Sequence, residues 1–124
     1  MLSISMVSAR GIVLSRVNSA YQVEFLALEQ QYPKAEREGW ALQLREADAY
    51  ESGAGATPCL TAMLAERNEG AEVPETMPEL IAKIRGKSDA YATLYGALTG
   101  KRHRLERAAL AAETPEQLAL VVWS

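Results

Sequence analysis

Apolar residues recur every three or four positions through most of this chain. Between residues 9 and 32 one such row is Val13 or Leu14, Val17, Tyr21, Phe25, Leu28 and Tyr32, with Arg10, Arg16, Glu24 and Glu29 elsewhere on the turn. That is the pattern of a long amphipathic helix. Pro33 ends or kinks it at Tyr32, because proline disfavours the helical conformation in the residue before it. A second helix then runs from Pro33 to about Glu51 and carries Trp40, Gln43, Leu44, Ala47 and Tyr50 at helical spacing. A large aromatic and an amide share this stripe, so it is built to touch another helix or another chain. The small residues of Ser52-Gly-Ala-Gly-Ala form a loop, with Gly53 placed for the left-handed conformation that closes a helix.

Three later helices are marked by a threonine ahead of a proline or a capping side chain. Thr57-Pro58 reads as N-cap and first helical residue of a short helix bearing Leu60, Met63 and Leu64. Thr76-Met-Pro-Glu79 is a capping box opening a longer helix with Leu80, Ile81, Ile84, Tyr91, Leu94, Tyr95 and Leu98. Thr114-Pro-Glu-Gln117 is another, ahead of Leu118, Val121, Val122 and Trp123. Thr99-Gly100 either breaks the long helix from residues 101–112 or is tolerated inside one continuous helix.

At the amino terminus Leu2, Ile4 and Met6 alternate with Ser3 and Ser5, the period of a half-buried strand. With no second strand in the sequence, residues 1–8 are expected to be a short extended arm, packed on its own domain or added to a partner's sheet. The fold class expected is all-α: a long helical hairpin plus a small C-terminal helical bundle, with that arm in front. Residues 9–124 form a single helical domain, with long helices over 9–51 and the small bundle over 57–124. The apolar and aromatic faces are too extensive for these helices to cover alone, so a homo-oligomer or a stable hetero-complex is expected.

Composition narrows the class of function. At 48% hydrophobic and 23% charged residues, the 124-residue chain is that of a folded domain. Its formal net charge of −3 opposes nucleic-acid binding, since phosphate neutralisation needs a surplus of Lys and Arg. Cys59 is the single cysteine, so neither an internal disulfide nor a thiolate metal cluster is expected, and a reducing cytoplasm is the simpler home. No charged start precedes an apolar run and no stretch of roughly 18 apolar residues occurs, so neither secretion nor a membrane span is expected.

Little in the chain supports chemistry. His103, the only histidine, lies in Gly100-Lys-Arg-His-Arg-Leu-Glu-Arg107 without a nucleophile motif, and reads as a solvated side chain on a basic turn. Cys59 sits in the first turn of a helix, where the dipole favours a thiolate, but one free cysteine is most often a small buried apolar group. Gly53-Ala-Gly55 lacks the length and the Lys-Ser or Lys-Thr of a phosphate loop. No catalytic residue, metal ligand or cofactor is therefore expected. The basic run Lys101, Arg102, Arg104 and Arg107 is expected to be a solvated face, paired with the acidic stretch Glu66, Glu69, Glu72, Glu75 and Glu79 or with an acidic partner.

Glu36, Trp40, Gln43 and Glu46-Ala47, then Pro58, then Ile84, Lys87 and Tyr91, then Gly100 and Arg102, follow one another as Glu, Trp, Gln and Glu-Ala on one helix, a proline-led short helix, an Ile-x-x-Lys helix with a tyrosine, and a Gly-x-Arg turn. In this the chain resembles the small helical tail fibre assembly chaperones of tailed bacteriophages and related prophage or pyocin elements, over about residues 32–123. The resemblance implies a non-enzymatic role: binding a newly made phage tail fibre or other tail protein and assisting its folding, trimerisation or attachment. It implies the host cytoplasm, with retention on the virion tail left open. Trp40, Tyr50, Tyr91, Tyr95 and Trp123 are the expected anchors, because aromatics dominate interface energetics. Gln43 and Arg102 join them as matched motif residues. Two other readings stand beside it. One is a permanent structural component of a phage tail or baseplate; the other is a phage inhibitor that binds a host protein through the acidic segment from Glu66 to Glu79.

Overall fold

The computed structural model describes residues 3–124. Among them the chain is all-α, with helices α1 (Ile4–Gln31), α2 (Lys34–Ser52), α3 (Pro58–Asn68), α4 (Met77–Ala111) and α5 (Pro115–Ala119) and no strand. The extended arm is corrected from Ser3 onward: α1 begins at Ile4, while Met1 and Leu2 lie outside the described residues. The Met6 amide donates to Ser3 Oγ at 3.1 Å, so a serine counted as one polar beat of an alternation is instead an N-terminal cap. Met6 then falls on the row of Ala9 and Val13 and is buried with Ala109, Ala112 and Leu118.

Two compact units divide these contacts: the described residues up to Gln31 with Thr93–Ser124, and Tyr32–Ala92. The expected grouping, α1 with α2 and the rest as a bundle, differs from this. α1 packs on α5 and on residues 93–111 of α4, whereas α2 packs on α3 and on the beginning of α4. α4 is continuous through Thr99-Gly100, so that glycine is tolerated inside a helix.

In the 32–92 unit, Trp40 and Ala47 of α2, Leu60 of α3 and Leu80, Ile81 and Ile84 of α4 form the core. Tyr32, Trp40 and Tyr91 meet edge to face, with ring centroids 5.5 to 6.1 Å apart. Arg37 secures this cluster. Its guanidinium donates to the Tyr32 carbonyl at 2.8 Å and to the Tyr91 hydroxyl at 3.2 Å, and lies 5.2 Å from the Tyr91 ring centre.

The helix ends explain themselves locally, with one exception. At Gly53, φ is 69°, and Gly53 N–H to Tyr50 O (3.3 Å) with Ala54 N–H to Ala49 O (3.0 Å) completes a left-handed closure of α2. Thr76 and Glu79 exchange hydrogen bonds as a capping box at the start of α4. Gln117 N–H donates to Thr114 Oγ1 at 3.2 Å, while the Gln117 amide oxygen accepts from Glu113 N–H. α3 is the exception. Thr57 stands at its N-cap but makes no capping hydrogen bond, and its hydroxyl shares one with Thr61 instead. The free amides of Cys59 and Leu60 are taken by Glu46, a carboxylate on α2 that is only 5% exposed, at 3.3 and 3.0 Å.

In the other unit Val17, Tyr21 and Leu28 of α1 and Leu105 and Ala109 of α4 are buried. Arg10 closes α4 from outside, donating to the carbonyls of Ala109 (3.1 Å) and Ala112 (2.8 Å), which no later turn of helix would satisfy.

Glu46→Ala is expected to cost about 1–3 kcal/mol, because it strands one buried and one half-buried helix-start amide. Thr57→Ala is expected to cost well under that. Urea unfolding followed by circular dichroism compares the two directly.

Candidate protein-binding site

The stripe singled out on α2 forms one wall of a groove in the 32–92 unit. Glu36, Trp40 and Gln43 of α2, Met63 and Arg67 of α3, and Leu80, Lys83, Ile84, Gly86 and Lys87 of α4 line a cavity of about 330 Å³. Each lining position follows from helical spacing: residues 36, 40 and 43 share one face of α2, and 80, 83, 84 and 87 one face of α4. Trp40, Leu80 and Ile84 are buried core residues whose edges make the apolar floor. Gln43 is half-buried, and its amide lies over Gly39, where an added Cβ would stand 2.9 Å from Gln43 Nε2. Gly39 therefore leaves room for that pose.

Charged side chains rim the groove in pairs. Lys87 Nζ donates to Glu36 Oε1 at 3.0 Å. Glu75 receives both Arg67 (2.6 and 3.0 Å) and Lys83, and its backbone exchanges two 2.8 Å hydrogen bonds with the Asn68 amide. Hydrogen bonds from Arg67 first, then Lys83, hold the Glu75 carboxyl down to about 2, and the same pairing raises the Arg67 guanidinium. Farther along the same two helices, Arg85 binds Glu51 and, at 2.8 Å, Asp48; its pKa is raised, chiefly by the Glu51 bond.

The remaining expected contact residues separate by unit. Tyr91 is half-buried against Trp40, and Tyr50, near the end of α2, is exposed. Tyr95, Arg102 and Trp123 belong to the other unit. There Tyr95 is exposed and edge-on to Phe25, Arg102 lies 4.4 Å from the Tyr21 ring centre, and Trp123 is half-buried and edge-on to Tyr21 with Lys101 Nζ 4.4 Å from its ring. A second cavity of about 430 Å³, with Leu28, Leu94 and Leu98 among its apolar lining, lies in this unit.

In the basic run Arg104 and Arg107 are exposed, and within each unit other charged residues have near partners. Lys101 donates to the Ser124 carbonyl and Arg102 pairs with Glu106 at 3.4 Å, whereas Glu75 is taken by Arg67 and Lys83 and Glu79 by Thr76. His103 is exposed and Cys59 half-buried. Among the described residues no group of three or more His, Cys, Asp or Glu is arranged to hold a metal, and no helix is long and apolar enough to cross a membrane.

Sequence reasoning found Trp40 and Gln43 and passed over Met63, Arg67, Lys83 and Gly86. Lys83 and Lys87 at i and i+4 beside Ile84 were the available signal for the α4 wall. Arg67 carried none, because Glu75 brings it there through a loop. Against protein-family models, curated proteins and solved structures, the chain finds no match.

Stability is expected to hold above the ordinary carboxyl value near 4.5 and to fall as pH drops from there toward about 2, because Glu75 protonates later folded than unfolded. Thermal melts of Glu75→Gln against pH should lack that part of the acid slope. Gly86→Ala, into open space within a helix, should gain roughly 0.5–1 kcal/mol. Gly39→Ala should gain less, because it displaces the Gln43 amide; chemical denaturation of the two variants measures the difference.

Proposed function

We propose that this chain is an assembly chaperone for a bacteriophage tail fibre or another phage tail protein, which it binds through the groove of the 32–92 unit. One observation supports the reading most: Glu36, Trp40, Gln43, Ile84 and Lys87, five of the eleven residues by which the sequence resembles that family, line one groove although they come from two helices far apart in the chain. An apolar floor gains by excluding water from a partner side chain, while an amide and paired charges at the rim fix its orientation. The lining holds no hydroxyl, thiol or imidazole, which favours binding over turnover. Exposed Tyr50 extends the aromatic surface beyond the groove. The reading implies work in the host cytoplasm, where tail proteins are made.

Co-expression with a phage tail fibre protein is expected to give a co-purifying complex and more soluble fibre trimer. Gly86→Gln, which fills the groove without a clash at the backbone, should weaken that complex about tenfold or more in a pull-down titration. No complex with the wild-type chain would overturn the function. A complex that Gly86→Gln leaves intact would move the binding surface elsewhere.

A further inference from the structure

One side of α1 is covered along part of its length and open along the rest. Val13, Val17, Glu24, Leu28 and Gln31 follow one another at steps of three, four or seven positions, so they share that side. Over Val13 and Val17 lie α5 and residues 121–123, with a cavity of about 350 Å³ between them. From Glu24 to Gln31 the same side lines the cavity of about 430 Å³, with Leu94, Leu98 and Lys101 of α4 as its other wall. All of these residues belong to one unit. Lys101 stands where the two stretches meet: its Nζ lies 4.4 Å from the Trp123 ring centre and donates to the Ser124 carbonyl.

Residues 120–124 are lightly held against this side. Their backbone donates only from Leu120 to the Gln117 carbonyl (3.2 Å) and from Val121 to the Leu118 carbonyl (3.1 Å), and past Val121 no N–H donates at all. Leu120 and Val122 are 82% and 58% exposed, so they bury little. Trp123 is the anchor, half-buried and edge-on to Tyr21 with ring centroids 6.3 Å apart. Its Nε1 is buried without an acceptor among the described residues, a penalty that only the docked position carries.

We propose that residues 120–124 form a strap that opens while α1 and α4 stay folded, and that its opening extends the open groove past Lys101 toward Val17. The inference is independent of the chaperone reading. A segment with few backbone hydrogen bonds and little buried apolar surface opens at a free energy far below that of global unfolding. The contacts given up are the Tyr21 ring contact, those of Lys101 and half-buried Val121, while the indole N–H regains water. Opening also uncovers one edge of Tyr21, which is 6% exposed with the strap in place. The strap thereby sets how much apolar surface this side of α1 presents.

Hydrogen exchange of the Trp123 indole N–H, read by NMR on the full chain and assigned with Trp123→Phe, tests the opening. Relative to its intrinsic rate, this proton is expected to exchange about a hundredfold or more faster than the buried-helix amides of Val17 and Leu105, yet slower than a free indole. Lys101→Ala should speed it about tenfold and leave those amides unchanged. Trp123→Ser should keep its helicity by circular dichroism and raise the fluorescence of added 1-anilinonaphthalene-8-sulfonate severalfold, because the dye reports the uncovered groove. An indole as slow as the helix amides overturns the proposal, and so does one with no protection at all. Loss of helicity in Trp123→Ser, or dye fluorescence that stays at the wild-type level, overturns it equally.

Discussion

The apolar row along α4 is the constraint on which both units depend. Met77, Ile84, Tyr91, Leu98 and Leu105 recur every seven residues, with Ile81 and Ala109 on the neighbouring row, and a helix of this kind gains its stability by being covered. Two parts of the chain do the covering. α2 and α3 bury Leu80, Ile81 and Ile84; α1 and α5 bury Ala109. Elements from both ends of the sequence are thereby committed to one helix.

Polar groups set where those covers stop and start. Glu46 reaches from α2 to the first amides of α3, and Arg10 reaches from α1 to the last carbonyls of α4. Both satisfy helix-end groups that the end's own sequence leaves open. Each also ties two elements at one defined register, since a carboxylate or guanidinium a turn away would miss its partners. Arg37 does the same for the aromatic cluster, holding Tyr32 and Tyr91 by hydrogen bonds while the rings pack on Trp40.

The surface of the 32–92 unit combines an apolar floor with paired charges. Ion pairs neutralise the groove rim, so under the proposed function affinity would come from burying the apolar floor, with the charges giving orientation. The exposed aliphatic residues of α1 belong to the other unit.

Periodicity and turn chemistry determined the all-α class, the closure at Gly53, the capping boxes at Thr76 and Thr114 and the apolar rows of Leu80 and Ile84, because each depends on residues within a turn or two of one another, whereas the burial of the expected anchor Trp40 in the core came from tertiary packing. The period was misleading only where it was short: five alternating residues at the amino terminus are compatible with a strand, but Ser3 caps the Met6 amide and a helix starts at Ile4. Half of the groove was legible for the same reason, through the Trp40–Gln43 stripe and Ile84-x-x-Lys87. Which helix covers which, the use of Glu46 instead of Thr57 as a cap, the arrival of Arg67 by way of Glu75 and the distribution of Tyr50, Tyr95 and Trp123 over two units were decided by tertiary structure alone. Local sequence fixes which face of a helix is apolar, but only long-range packing fixes what that face meets.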